Sequence, residues 1–283
     1  MKNQRELFLE GERKESRPLF SIITVSFNSR KTIERTIKSI LSQTEDNYEY
    51  WIIDGGSTDG TMDVVLRYQT FFNGRLNFIS EPDSGIYNAM NKGIMLALGD
   101  IIGIVNSDDW LESDALENIC YALEKAKSFD NSIYCGWMYF HYMNGKVGLL
   151  KTNEKRVNSY YSKLKMGVRH PATFVPAAIY ERVGKFDESL EIMADQDFII
   201  RCLNNNVRLF FIDKALTHMS DGGVSNNSRY KKQLRKDLKY YYSKHTTSRI
   251  WYWMYVSKDI LVMCVKGIVP QRLVRVIRND SID

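Results

Sequence analysis

An α/β fold built on a mostly parallel, doubly wound sheet is what this sequence predicts, and three observations carry the prediction. Short β-rich apolar runs alternate with helix-period segments four times in about 110 residues, the pattern of parallel strands joined by right-handed crossovers. The loop after each apolar run is rich in Gly, Asp, Asn and Ser, so polar groups collect along one edge of the sheet. The chain has 283 residues, 44% hydrophobic and 26% charged, which suits one large domain with a sizeable core.

Residues 1–17 are polar and mixed in charge; they read as a flexible lead-in ending at Pro18, without the apolar stretch of a secretory signal. Residues 19–27 (LFSIITVSF) form a first strand, apolar throughout and therefore buried on both faces. Residues 31–42 are helical by period, with Ile33, Ile37, Ile40 and Leu41 on one face. A second strand at 50–53 stops at Asp54-Gly55-Gly56. A short helix follows at 61–68, with Ser57 and Asp59 as candidate caps. The third strand is 76–80, and the helix at 86–98 has Asp83 as its candidate cap. Ala89, Gly93 and Ala97 give that helix a small face that allows close approach to a sheet. Residues 100–105 are the fourth strand, and Ser113 opens the next helix, 113–127. Beyond residue 132 the pattern is less regular, with strands expected at 133–139 and 208–212 and a helix at 194–203. Cys120, Cys135, Cys202 and Cys264 are scattered without a C-x-x-C pair and read as ordinary buried thiols.

In an open α/β sheet, ligands bind at the C-terminal edge of the strands. Asn106-Ser107-Asp108-Asp109 stands at that edge. Adjacent carboxylates there suit a hard divalent cation, which in turn suits a diphosphate; a polar strand-to-helix turn is the plain alternative. Ser26-Phe27-Asn28 and the DGGSTDGT loop from Asp54 lie on the same rim. Gly56 lets backbone approach a ligand closely, and the helix N-terminus beyond Ser57 and Asp59 favours an anion. A third polar loop on this rim contains Asp83 and Gly85 and runs into Asn91 and Lys92.

Taken in order, these segments resemble family 2 glycosyltransferases with the GT-A fold. The resemblance continues through His170-Pro171-Ala172-Thr173-Phe174, Gly184-Lys185-Phe186-Asp187-Glu188 and Ala194-Asp195-Gln196-Asp197-Phe198, and spans residues 18–225. It implies that Phe27, Asn28, Asp54, Asp59 and Asp83 line a pocket for the base and ribose of a nucleotide-sugar donor, with Asp54 facing the base edge. Ser26, Gly56, Ser57, Gly85, Asn91, Lys92, Asn106 and Ser107 are donor-binding by the same resemblance. Asn106-Ser107-Asp108 stands where the family has Asp-x-Asp, so Asp108 is the implied ligand of Mn²⁺ or Mg²⁺, and Asn106 departs from the pattern. Asp109 is expected near the donor sugar. Asp195 corresponds to the family's general base, although Ala194 replaces the Glu that usually precedes it. His218 is an expected second metal ligand, Gly222-Gly223 a loop closing over the diphosphate, and His170 a donor or acceptor contact. The reaction so implied is an inverting displacement at the anomeric carbon, with a UDP-sugar as donor.

The net charge of +5 hides an asymmetry: residues 229–278 hold thirteen Lys and Arg against Asp237 and Asp259, a net +11, so the remainder carries −6. The expected organisation is a catalytic domain at 18–228 and a basic amphipathic helical region at 229–283. Residues 249–266 combine Trp251, Tyr252, Trp253 and Tyr255 with Arg249, Lys258 and Lys266, which suits a membrane interface better than a span. Arg272, Arg275 and Arg278 continue the pattern. The expectation is a cytoplasmic enzyme, peripheral on the inner face of the cell membrane, whose acceptor is a saccharide on a polyprenyl diphosphate. Similar enzymes build O-antigen, capsule or exopolysaccharide. Packing of these helices on the catalytic domain or on a second copy of the chain is the alternative. No nucleic-acid-binding module accompanies the charge. Two rival readings of the whole chain are a non-catalytic sugar-nucleotide-binding protein and a metal-dependent nucleotidyltransferase. The irregular stretch 144–168, with Tyr160 and Tyr161, is the expected acceptor region.

Overall fold

The computed structural model describes residues 17–126, 129–152, 167–221, 228–246 and 248–265. The lead-in, Tyr160 and Tyr161, Gly222-Gly223 and the basic pattern after residue 270 lie outside them. Strands β1 (Phe20–Ser26), β2 (Tyr48–Asp54), β3 (Leu76–Ser80) and β4 (Ile101–Ile104) are parallel, in the order β3-β2-β1-β4. Between and after them run α1 (Ile33–Leu41), α2 (Thr61–Tyr68), α3 (Ile86–Leu96) and α4 (Ala115–Lys125). Each of these eight elements falls within a few residues of its sequence expectation.

The second half completes a nine-stranded mixed sheet with β5 (Trp110–Leu111), β6 (Ser132–His141), β7 (Val147–Leu150), β8 (Thr173–Pro176) and β9 (Arg208–Ser220). From β4 the order continues β8-β6-β9-β5, with β7 also on β6. Strand β8 is antiparallel to both β4 and β6, while β6 and β9 are parallel to each other. The uniformly parallel, doubly wound arrangement therefore holds only for the first four strands. Helices α5 (Ala177–Val183), α6 (Ala194–Asn204), α7 (Ser228–His245) and α8 (Arg249–Val265) complete the fold.

The apolar run of β1 is explained by its position inside the sheet. Phe20 and Ile22 enter one core with Ile33, Ile37 and Ile40 of α1, while Ile23 and Val25 enter the other with Met90 and Ile94 of α3. Gly93 is what lets α3 lie flat on the sheet, because a Cβ there would stand 2.5 Å from Cγ2 of Ile23. Leu238 and Tyr241 of α7 and Tyr255 and Val256 of α8 are buried in the same core as Phe198 of α6. The basic helices thus pack along one face into the same core as α6. Among the described residues no helix is long and apolar enough to cross a membrane.

Candidate active site

The C-terminal ends of β1 and β2 are tied together by one carboxylate. Asp54 is 1% exposed and accepts from the hydroxyls of Ser26 (2.9 Å), Ser57 (2.5 Å) and Ser80 (2.7 Å) and from the amides of Gly56 (3.2 Å) and Ser57 (2.8 Å). Burial disfavours its charge, but the Ser57, Ser80 and Ser26 hydrogen bonds outweigh it and hold the carboxyl below its ordinary value. Asp54 therefore orders the DGGSTDGT loop, and its oxygens are committed to the protein. The two adjoining loops are stitched in the same way. Asn28 (φ 50°) donates its amide to Ser57 Oγ at 2.7 Å, and its own Oδ1 accepts from Thr58 N at 3.0 Å. Asp59 accepts from Thr61 N at 3.0 Å and from Arg30 N at 3.1 Å. Gly60, Gly85 and Asp114 occupy the helix N-caps, so Ser57, Asp83 and Ser113 are not the side-chain caps the sequence suggested, while Asp59 caps the first helical amide, Thr61 N, from one residue further out.

This stitching leaves Phe27 standing out from the rim, 63% exposed. Gly55 lies between it and Asp83, for a Cβ there would meet Asp83 Oδ2 at 2.6 Å and Phe27 Cδ2 at 3.3 Å. An exposed ring beside a carboxylate and bare backbone is a surface on which a planar base can stack. Gly56 (φ 81°) and Gly85 (φ 132°) have backbone conformations that favour glycine. The Asp83 carboxylate accepts from Gly85 N at 2.9 Å. Asn91 and Lys92 are both bonded to neighbouring protein groups. Asn91 is 4% exposed and bonds both the amide and the carbonyl of Phe186 at 3.0 Å and Glu188 at 2.7 Å. Lys92 pairs with Glu81 at 2.7 Å and donates to the Pro82 carbonyl at 3.1 Å, buttressing the Asp83 loop from behind.

At the end of β4 the two adjacent aspartates differ. Asp109 is 1% exposed and accepts from Ser220 N at 3.1 Å and Asn106 Nδ2 at 3.4 Å. Burial, then the neighbouring charge of Asp108, push its carboxyl up to about 7. It faces the protein and anchors β9, so it is not placed to meet a donor sugar. Asp108 is half-buried, and among the described residues its carboxylate bonds only its own amide. Burial raises it above its ordinary value, with Arg35 opposing. Arg35 lies 3.6 Å over the Trp110 ring and donates to the Asp108 carbonyl at 2.7 Å. Ser107 Oγ bonds Ser29 Oγ at 2.7 Å, linking this turn to β1.

The donor set here fits a hard divalent cation. Among the described residues, Asn106 Oδ1 is buried without a hydrogen-bond partner, two residues from the Asp108 carboxylate. Both are oxygen donors, and Mg²⁺-type sites commonly take one or two carboxylates and draw the rest from phosphate and water. Among the described residues no three His, Cys, Asp or Glu side chains form a ready-made cage.

His218 is engaged elsewhere. Its Nε2 lies 2.7 Å from Glu112 Oε1 and its Nδ1 2.9 Å from His141 Nε2. Its ring is stacked between Trp110 (4.7 Å) and Tyr139 (4.9 Å). Binding a metal would require it to give up one of these hydrogen bonds.

Asp195 opens α6, and its Oδ1 accepts from Gln196 N at 2.7 Å. Tyr87, two residues beyond Gly85, donates to the Ile192 carbonyl at 2.9 Å and lies 3.4 Å from Asp195 Oδ1. Burial raises the Tyr87 phenol well above its ordinary value, so it stays a donor. Asn88 and Asn91 hold Glu188 at 2.9 Å and 2.7 Å. These contacts bring the sequence-distant Asp83–Asn91, Lys185–Glu188 and Asp195 segments to one side of the rim. Burial pushes the His170 imidazole down while the Asp195 charge opposes it, which puts His170 in the electrostatic reach of Asp195. Asp197, four residues before Arg201 on α6, is fully buried and bonded to Arg201 Nε at 2.7 Å. Tyr87, Arg35 and Glu188 were missed by sequence reasoning. The first lies inside the EPDSGIYNAMN string, and its register after Gly85 was the available signal.

The family model Glycosyl transferase family 2 matches residues 21–183. An uncharacterized glycosyltransferase of Mycobacterium tuberculosis is 34% identical over 189 residues, 66% of this chain and 69% of its own length. A PGL/p-HBAD biosynthesis glycosyltransferase of Mycobacterium bovis is 28% identical over 225 residues, 77% of this chain and 84% of its own. The crystal structure of S. aureus TarS 1–349 in complex with UDP-GlcNAc is similar with a TM-score of 0.61 at 20% identity, over 86% of this chain and 71% of that one. The match spans 43% of the longer TarS chain. The mannosyltransferase PcManGT from Pyrobaculum calidifontis, in complex with GDP-Man and Mn²⁺, matches with a TM-score of 0.59 at 13% identity, over 98% of this chain and 84% of that one. The structural likenesses establish the GT-A fold, and with the family match over most of the β1–α5 region the chain belongs to glycosyltransferase family 2.

Proposed function

We propose that this chain is an inverting, divalent-cation-dependent glycosyltransferase that moves a sugar from a UDP-sugar to a saccharide carried on a polyprenyl diphosphate. The observation that carries the reading is the contrast at the end of β4: Asp109 is spent on the fold, while among the described residues the Asp108 carboxylate bonds only its own amide and, two residues before it, Asn106 Oδ1 has no hydrogen-bond partner. Phe27, Asp83 and the backbone at Gly55–Gly56 would hold the base and ribose. The UDP-GlcNAc bound to TarS supports a uridine nucleotide, and the Mn²⁺ bound to PcManGT supports Mn²⁺ or Mg²⁺.

Asp108 would hold the cation with Asn106 Oδ1 as a second oxygen. When bound, that cation supplies neutralisation of the charge growing on the departing diphosphate. Asp195 takes the proton of the acceptor hydroxyl as that oxygen attacks the anomeric carbon, worth ~10²–10⁴-fold in rate. Tyr87 and the Gln196 amide fix the Asp195 carboxylate for this transfer. One base and one displacement invert the anomeric centre.

The acceptor side of the proposal places the enzyme in the cytoplasm, peripheral on the inner face of the membrane, in assembly of a surface polysaccharide such as O-antigen, capsule or exopolysaccharide. Ile250 (80% exposed), Trp253 (54%) and Met254 (46%) project from one face of α8, next to the strongly basic C-terminal sequence. Apolar anchors beside basic charge suit an anionic bilayer surface. Product analysis tests the mechanism. From an α-linked UDP-sugar, NMR should show a β-linked product; retention of configuration would overturn the single-displacement reading.

A further inference from the structure

The face of α7 turned to the core grips the segment around Asp195. Asp237, Tyr241, Lys244 and His245 fall at i, i+4, i+7 and i+8, one side of a helix. Asp237 is 2% exposed; its Oδ2 accepts from Ile192 N at 2.7 Å and from Met193 N at 3.3 Å, and its Oδ1 from Gln233 Nε2 at 2.9 Å. The Tyr241 hydroxyl is hydrogen-bonded to the Gln196 side chain. Lys244 and His245 reach Asp197 at 2.9 Å and 2.8 Å, and Lys244 also holds Asp187 at 2.7 Å. These contacts fall on both sides of Asp195 in the sequence.

Ile192 is clamped at both ends. Its carbonyl accepts from Tyr87, which also touches Asp195, and its amide donates to Asp237. Among the described residues Asp237 has no ion pair, so a buried carboxylate is held by two backbone amides and a glutamine. A charge that costly to bury is stabilised here by the fixed Ile192 and Met193 amides together with the Gln233 side chain.

We propose that Asp237 is a positioning residue for the catalytic base, which makes the C-terminal helix α7 part of the active-site scaffold. The inference rests on reading Asp195 as the base. Asp237→Ala would release the Ile192–Met193 turn, and a misplacement on the order of 1 Å in a catalytic group can cost about 10²-fold. Asp237→Asn keeps an oxygen for both amides.

The test uses the full chain, a donor it turns over, and calorimetric donor binding. Asp237→Ala should lower kcat about 10- to 100-fold with donor Kd unchanged within about twofold. Asp237→Asn should recover to within about threefold of the parent. Amide hydrogen exchange at Ile192 and Met193 should accelerate in Asp237→Ala whatever its activity. A parental kcat in Asp237→Ala, an equal loss of donor affinity, an Asn variant no better than Ala, or unchanged exchange would each overturn the proposal. If Asp237→Ala does not fold, Tyr241→Phe is measured instead. It should lose kcat severalfold at constant donor Kd, and an unchanged kcat overturns the proposal. Asp195→Ala with parental turnover would sink the base assignment instead, a separate outcome.

Discussion

Replacing Asp197 with Ala removes a fully buried carboxylate on which three basic side chains converge: Arg201 Nε at 2.7 Å, His245 Nε2 at 2.8 Å and Lys244 Nζ at 2.9 Å. Breaking a buried ion pair by removing one partner costs ~3–5 kcal/mol. Here two of the three, Arg201 and Lys244, keep other partners. Arg201 still donates to the carbonyls of Val183 (2.8 Å), Gly184 (3.2 Å) and Lys185 (2.5 Å), and Lys244 still pairs with Asp187 at 2.7 Å. The loss therefore falls at the lower end, about 3 kcal/mol. At ~2–4 °C per kcal/mol for a chain of this size, Tm should fall by about 6–12 °C. Urea denaturation should show a lower midpoint at unchanged slope. The pH dependence gives a second check. Burial opposes the Asp197 charge, but the His245, Arg201 and Lys244 hydrogen bonds outweigh it and hold its carboxyl far below its ordinary value. A depressed carboxyl contributes stability above its unfolded value, about 3.9, and loses it as pH falls below that. The gap between parent and variant should then narrow below about pH 4. A loss under about 1 kcal/mol, or a gap that stays constant into acid, would refute the reasoning.

Three further outcomes are expected. Phe27→Ala should weaken nucleotide-sugar binding by ~1–3 kcal/mol, the worth of one base stack, while leaving the urea midpoint nearly unchanged because the ring is 63% exposed; an unaltered calorimetric Kd would remove Phe27 from the donor pocket. Gly93→Val forces a Cβ to within 2.5 Å of Ile23 Cγ2, so overpacking should cost ~1–3 kcal/mol in urea; a parental midpoint would mean that α3 does not sit on β1 this closely. The Asp109 carboxyl, raised to about 7, contributes stability that is fully present below its unfolded value and is lost as pH rises through about 7. Asp109→Asn should flatten that decline, read as urea midpoint against pH, and a profile that the substitution leaves unchanged would contradict the burial argument.

The first half of the fold was legible in the sequence because β1, β2 and β4 are buried on both faces and each helix has a clear apolar side. Ile23 and Ile22 diverge into separate cores, and that makes the apolar run continuous. The second half was harder for physical reasons. Strand β8 has four residues and ends at Pro176, and β9 carries Asp213 and Lys214 on exposed positions, which hide a 13-residue strand. Motif spacing placed Asp54, Asp83 and Asp108 along the rim and Asp195 at a helix start, but it could not tell which carboxylates face inward. Asp109 and Asn91 sit beside pocket residues in the sequence and are consumed by the fold. The two polar neighbours His218 and Glu112 likewise satisfy each other across β5 and β9. Charge counting read α7 as a basic appendage, because a helix with so many Lys and Arg gives little weight to Asp237, Tyr241 and His245. Their helical spacing was the signal, and it acquires meaning only when α6 is in place beside it.

Donor turnover tests the central claim most directly. Purified protein with Mn²⁺ is offered UDP-, GDP- and dTDP-sugars, and released nucleoside diphosphate is read beside EDTA and Asp108→Ala controls, with donor binding measured by calorimetry. The account predicts release from a UDP-sugar that both controls abolish, and donor binding that depends on the cation. Binding and turnover that persist in Asp108→Ala, or no binding of any of these donors with Mn²⁺ present, would contradict it.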